Sequence, residues 1–65
     1  MYQKDRMKEA MKLSSLSLTK LAGLTGFEIS TLSRKINGQV GWSIEDVNKL
    51  LPIFRIKLIK YIFLE

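Results

Sequence analysis

Apolar residues recur along this chain at intervals of three and four, the period of helices that bury one face. Tyr2 to Leu13 carries Met7, Ala10 and Met11 at that spacing, with Lys4, Lys8 and Lys12 on another face. The pattern predicts an amphipathic first helix. Asp5 and Glu9 alternate with the lysines and offset them at helix-pair spacing, so the lysine row reads as a solvated face before it reads as a phosphate surface. Leu13 to Leu16 is a serine-containing break. Ser17 then fits the N-cap of a second helix, with Leu16 and Leu21 at the positions of a hydrophobic staple. Leu18, Leu21 and Ala22 predict its buried stripe, and Ala22 is small where two helices would cross closely. Gly23 inside this helix costs about 1 kcal/mol against alanine. Gly26 ends it, supplying the positive φ of a sharp turn.

A third helix is predicted from Glu28 to Asn37, with Leu32 and Ile36 facing inward and Phe27 plugging the core at its entrance. Asn37-Gly38 is a strong stop signal. Ser43 caps a fourth helix, Asp46 completes a variant capping box three residues on, and Trp42 and Val47 take the staple positions. Glu45 and Asp46 suit the positive end of that helix. Ile44, Val47, Leu51 and Phe54 form its predicted buried stripe, and Pro52 ends or kinks it near Leu51.

Ile56 to Glu65 admits two conformations. Ile53, Ile56, Ile59 and Ile62 repeat every three residues with Lys57 and Lys60 off the stripe, which favours a fifth helix. The run is also β-branched and aromatic, as strands are, but strict alternation fails. In either form the segment from 53 to 65 holds more apolar surface than a small monomer easily buries. Ile59, Ile62 and Phe63 are therefore the candidate dimer contacts.

Composition narrows the function. Sixty-five residues, 46% of them hydrophobic, make one small domain, 1–65, with a real core and marginal stability. With no Cys and no His, disulfide or zinc bracing is not open to it, and helix packing, dimerisation or both must suffice. The net charge of +5 favours a polyanionic partner, nucleic acid first and an anionic membrane surface second. The N-terminus is charged where a signal peptide would be apolar. The apolar region from Leu50 to Leu64 is broken by Pro52, Arg55, Lys57 and Lys60, so it does not read as a span, which needs about 20 mostly apolar residues. A cytoplasmic protein is expected. No catalytic constellation, phosphate loop, metal site or cofactor site is legible, and no enzyme activity or small-molecule substrate is expected.

Ser17 to Gly38 reads as helix, tight glycine turn, helix, the helix-turn-helix pattern. Leu21-Ala22, Gly26 and the string from Thr31 to Gly38, TLSRKING, together resemble the lambdoid repressor and Cro-type (XRE-like) helix-turn-helix family. The string is especially similar to short phage and prophage regulators of Gram-positive bacteria, and the likeness runs from about Leu13 to Glu65. The resemblance implies an all-α fold, a compact four- to five-helix bundle. It implies a second helix of the pair lying in the major groove, and a homodimer on a double-stranded DNA operator with paired half-sites. By this resemblance Glu28, Ile29, Ser30, Ser33 and Arg34 fall where base-facing side chains sit. Ser17, Thr19, Lys35, Asn37 and Gln39 fall where phosphate contacts are usual. One position departs from the family: Leu18 stands where a glutamine commonly contacts the DNA backbone. Either Ser17 and Thr19 take over that phosphate or the docking differs.

Each of these residues has a plainer role available. Arg34 can grip a guanine edge with two parallel hydrogen bonds, or meet a phosphate or a surface acid. Ser30 and Ser33 can bond bases or simply be exposed. Glu28 can accept from a cytosine amino group but equally suits the first turn of a helix. Ile29 is spaced to face the core with Leu32 and Ile36, while the resemblance turns it outward toward a thymine methyl. Thr19, Lys35 and Gln39 can reach phosphates or stay solvated. Trp42 reads as core or staple rather than a stacking platform. Two rival functions share the sequence: an antitoxin or other small autoregulator whose apolar tail binds a different protein, and a basic protein lying on a membrane surface through Leu50 to Leu64.

Overall fold

The computed structural model describes residues 1–64. Five helices follow in order: α1 (Lys4–Leu13), α2 (Leu18–Thr25), α3 (Ile29–Ile36), α4 (Ile44–Leu50) and α5 (Ile56–Phe63). All-α architecture with a helix-turn-helix pair is therefore what forms, and the C-terminal run is a helix, not a strand. Glu65, included in the predicted fifth helix, lies outside the described residues. None of these helices is long and apolar enough to cross a membrane.

Several helix ends have a local chemical reason. Ser17 Oγ accepts from the Lys20 amide at 3.1 Å and starts α2. At α4 the box is reciprocal: Ser43 Oγ accepts from the Asp46 amide at 3.1 Å while Asp46 Oδ2 accepts from the Ser43 amide at 3.0 Å. Together these satisfy donors that a helix start leaves orphaned. Gly26, at φ 83°, closes α2 through its amide to Ala22 O at 2.9 Å. Gly38, at φ 81°, closes α3, with the Gln39 amide reaching back to Arg34 O at 2.9 Å. α1 ends in the same double-bonded motif, but Ser15 holds the left-handed position at φ 55°. Its neighbour Leu16 donates to Met11 O at 2.8 Å. No glycine or asparagine marks that turn in the sequence.

The helices share one core of Met7, Ala10, Leu21, Ala22, Leu32, Ile36, Leu50, Phe54, Ile59 and Ile62. α2 packs on α3, and α1 packs on both α3 and α5. Leu21, Ala22, Leu32 and Ile36 lie inside as their spacing predicted, while Leu18 and Phe27 are half-buried at the margin. Two expectations are corrected here. The fourth helix does not bury Ile44 or Leu51, which are 81% and 41% exposed. The chain turns again after α4, the Phe54 amide bonding Leu50 O at 2.8 Å, so Phe54 is buried as expected and Leu50 points inward in place of Ile44 and Leu51. The second correction concerns the tail. Ile59 and Ile62 are core residues of the chain itself, which removes them as dimer contacts. Phe63 is half-buried with its ring 5.3 Å from both Tyr2 and Trp42.

The tail is also bound at its end. The last four carbonyls of an α-helix lack intrahelical partners, and those of α5 all find one. Lys60 O accepts from the Leu64 amide at 2.8 Å, and Tyr61 O from Arg6 Nη1 at 2.8 Å. Ile62 O accepts from the Gln3 amide at 2.8 Å, and Phe63 O from the Met1 amine at 2.7 Å. Arg6 also stacks 4.4 Å over the Tyr61 ring, whose hydroxyl donates to Glu9 Oε1 at 2.7 Å. That bond to a carboxylate raises the Tyr61 pKa above its usual value.

Candidate nucleic-acid interface

α3 presents an outer face built by its own periodicity. Leu32 and Ile36 hold the inner side, so Ser30, Arg34 and Asn37, spaced i, i+4 and i+7, are turned out to solvent. Ser33 lies half-buried beside them. Ile29 is 48% exposed, so it stands on the outer side of the first turn rather than in the core. Glu28 occupies the N-cap, exposed and without a side-chain capping bond. The five residues expected to face bases are thus gathered on the first two turns of one short helix and its entrance.

The residues expected to meet phosphates are less uniform. Ser17 and Thr19 are exposed at the start of α2, where amide dipoles favour an anion. Gln39 is exposed in the loop after α3. Asn37 is exposed too, although its Nδ2 already donates to Ser33 O at 2.9 Å.

Lys35 is a correction. It was expected to reach a phosphate, but only 8% of it is exposed. Its Nζ donates to Asp46 Oδ2 at 2.8 Å and to Gly41 O at 3.0 Å. Its position at the core edge of α3 sends its stem inward, and the aromatic rings of Phe27 and Trp42 each lie 5.9 Å from the ammonium. Asp46 feels opposing influences. Burial works against its charged form, but hydrogen bonds from Lys35 and from Ser43 outweigh that and hold the carboxyl below its ordinary value of 3.8.

This pair belongs to a larger attachment. All four final carbonyls of α3 are engaged. Ser33 O accepts from the Asn37 amide at 3.0 Å, and Arg34 O from the Gln39 amide at 2.9 Å. Lys35 O accepts from Trp42 Nε1 at 3.0 Å, and Ile36 O from the Tyr2 hydroxyl at 2.6 Å. Burial pushes the Tyr2 hydroxyl up to about 12, with the Trp42 indole pulling slightly the other way. It is therefore a neutral donor at any physiological pH. Tyr2, Trp42 and Phe27 also touch as rings, Trp42 lying 5.6 Å from Tyr2 and 6.2 Å from Phe27. Sequence reasoning placed Trp42 in the core margin but missed its bond to α3, and missed Tyr2 altogether. A tyrosine before the first helix gives no periodic signal.

Across the domain the charge is mostly unpaired. Among the described residues the Lys35–Asp46 contact is the one ion pair. Lys4, Lys8, Lys12, Lys20, Arg34, Lys49, Arg55, Lys57 and Lys60 are all exposed. Arg34 makes no side-chain hydrogen bond among the described residues, which leaves its planar fork available for two parallel bonds. A helix with a polar, serine- and arginine-bearing outer face, on a basic domain, is chemically suited to a groove edged by phosphates.

Neither a curated protein nor a solved structure matches the chain. A family model, that of the Cro/C1-type HTH DNA-binding domain, matches residues 6–59. The match covers most of the chain and contains α2, the turn at Gly26 and α3. Accordingly the chain belongs to the Cro/C1-type helix-turn-helix DNA-binding family.

Proposed function

We propose that this protein is a small sequence-specific transcriptional regulator, a phage or prophage repressor or Cro-like protein, binding its operator as a homodimer. The observation that carries the reading is the outer face of α3: Ser30 and Arg34 exposed, Ile29 turned out, and the helix end anchored by four filled carbonyls. In the groove, Arg34 would take a guanine edge, Ser30 and Ser33 short hydrogen bonds, Ile29 a thymine methyl and Glu28 a cytosine amino group. Ser17, Thr19, Asn37 and Gln39 would meet phosphates, which fix register without reading sequence. Selection from a random duplex pool at about 0.15 M salt tests this. An enriched inverted repeat, with half-sites about 34 Å apart, is the expected result. A pool without any motif would leave only salt-sensitive, charge-driven binding and overturn the reading.

The homodimer needs a surface other than Ile59 and Ile62, and α4 offers one. Ile44, Asn48 and Leu51 form a single exposed stripe, with Glu45 exposed at its start and Lys49 and Arg55 exposed toward its end. A two-fold axis makes a patch meet itself in reverse. Antiparallel α4 helices would then set Ile44 against Leu51 of the second copy and the acidic end against the basic one. Ile44→Lys is expected to shift the protein to monomer in sedimentation equilibrium and to weaken binding to the full repeat while leaving single half-site binding intact. An unchanged dimer would move the contact off α4. An antitoxin-like use of the tail would have to rest on its exposed residues Ile56 and Leu64, because Ile59 and Ile62 are already in the core.

A further inference from the structure

We propose that Tyr2, which lies 34 residues from Ile36 in sequence, is a positioning residue that sets the orientation of α3 and through it the discrimination between DNA sequences. The inference rests on the reading of α3 as the groove-facing helix.

Three observations carry it. The Tyr2 hydroxyl donates at 2.6 Å to Ile36 O, the last carbonyl of α3. The Tyr2 ring packs against both Trp42 and Phe63, at 5.6 and 5.3 Å, in a three-ring cluster. The next residue, Gln3, donates its amide to Ile62 O at 2.8 Å. The short segment before α1 therefore ties the end of α3 to the end of α5. Lys35 instead joins α3 to Gly41 and to Asp46 of α4, and Trp42, bonded to Lys35 O, reaches α5 only through ring contact with Phe63.

The geometry of a lever explains why this affects reading more than holding. α3 has eight residues, so it is about 12 Å long. A tilt of about 10° about its anchored end would move the far end by about 2 Å. Hydrogen bonds to base edges tolerate only a few tenths of an ångström. Long flexible side chains meeting phosphates follow such a movement. Loosening the anchor should therefore cost base discrimination and spare backbone affinity.

Tyr2→Phe removes the hydroxyl and keeps the ring against Trp42 and Phe63. The experiment measures binding to the selected operator and to scrambled duplex over a salt series, with Trp42 emission and far-ultraviolet circular dichroism as controls of fold. The expected result is a fall of about fivefold or more in the operator-to-scrambled affinity ratio, with scrambled-DNA affinity and its salt slope unchanged. A ratio equal to that of the wild type, or a parallel loss on both DNAs, would overturn the proposal. Should Tyr2→Phe fail to fold, Tyr2→Trp supplies the second test: a ring with its donor displaced should lose discrimination in the same way, and a retained ratio counts against the idea. A wild-type protein that itself prefers no sequence would instead sink the recognition role of α3, on which this inference depends.

Discussion

Arg34→Ala is expected to remove most of the preference for the operator over scrambled DNA while leaving the fold intact. The side chain is exposed and makes no side-chain hydrogen bond among the described residues, so its loss costs the folded state little. In the bound state the proposed bidentate bond to guanine contributes about 1–3 kcal/mol of discrimination per copy. A homodimer uses it twice, giving about 2–6 kcal/mol. At about 1.4 kcal/mol per tenfold, even the lower figure is a drop of roughly 30-fold. The salt slope separates the two uses of the residue. If Arg34 meets only phosphate, binding should weaken equally on operator and scrambled DNA and the slope should fall by about 1 for each copy. Titrations on both DNAs at several salt concentrations distinguish these cases. A mutant that still discriminates as the wild type does would remove Arg34 from the reading set.

The largest effect on stability is expected from Asp46→Ala. The change leaves the Lys35 ammonium largely buried beside Gly41 O with no counter-charge, and it removes one arm of the Ser43 capping box. Breaking a fully buried pair costs about 3–5 kcal/mol. Here the two side chains keep 11% and 15% exposure, so we expect about 2 kcal/mol from the pair and about 1 kcal/mol from the cap. A chain of this length has roughly 3–10 kcal/mol in total, so the loss is a large fraction of it. Urea unfolding followed by the single tryptophan reads this directly. The double variant Lys35→Met, Asp46→Leu should recover much of the loss, because it leaves no charge stranded. A single mutant within about 0.5 kcal/mol of the wild type would mean the pair is energetically silent.

The same carboxylate gives a pH signature. Its folded pKa lies below the ordinary 3.8, so the unfolded chain binds the proton more readily. The stabilisation is complete above that ordinary value and is lost as pH falls through the lower folded one. Wild-type stability should therefore drop more steeply than that of Asp46→Ala on acidification below about pH 4. Parallel acid limbs would show that the carboxylate does not act this way.

Much of this was legible because it is local. Ser17, Gly26, Asn37-Gly38 and the Ser43–Asp46 box act over a few residues, and each behaves as the sequence implies. The spacing of Leu21, Ala22, Leu32 and Ile36 likewise faced the helix pair correctly inward. Periodicity failed where it had to choose among neighbouring apolar residues. In a run such as IEDVNKLLPIF two rotations of the helix bury comparable stripes, and the turn after Leu50 put Leu50 beside the expected Phe54 and left Ile44 and Leu51 outside. Ile29 was open for the same reason, because the first turn of a short helix has too few neighbours in sequence to assign its side.

By itself the amino-acid sequence determined the helices, their caps, the basic charge and the helix-turn-helix pair, since these follow from backbone conformation and spacing within a few residues. Only the tertiary structure decided which polar and apolar groups were used up inside. It turned Lys35 from a phosphate candidate into half of an ion pair with Asp46, and Ile59 and Ile62 from a dimer surface into core. It also brought Tyr2 to the end of α3. Each of these joins partners 11 to 34 residues apart or sets whole helices against one another. Their energy comes from burial and desolvation, which exist only once the elements have packed.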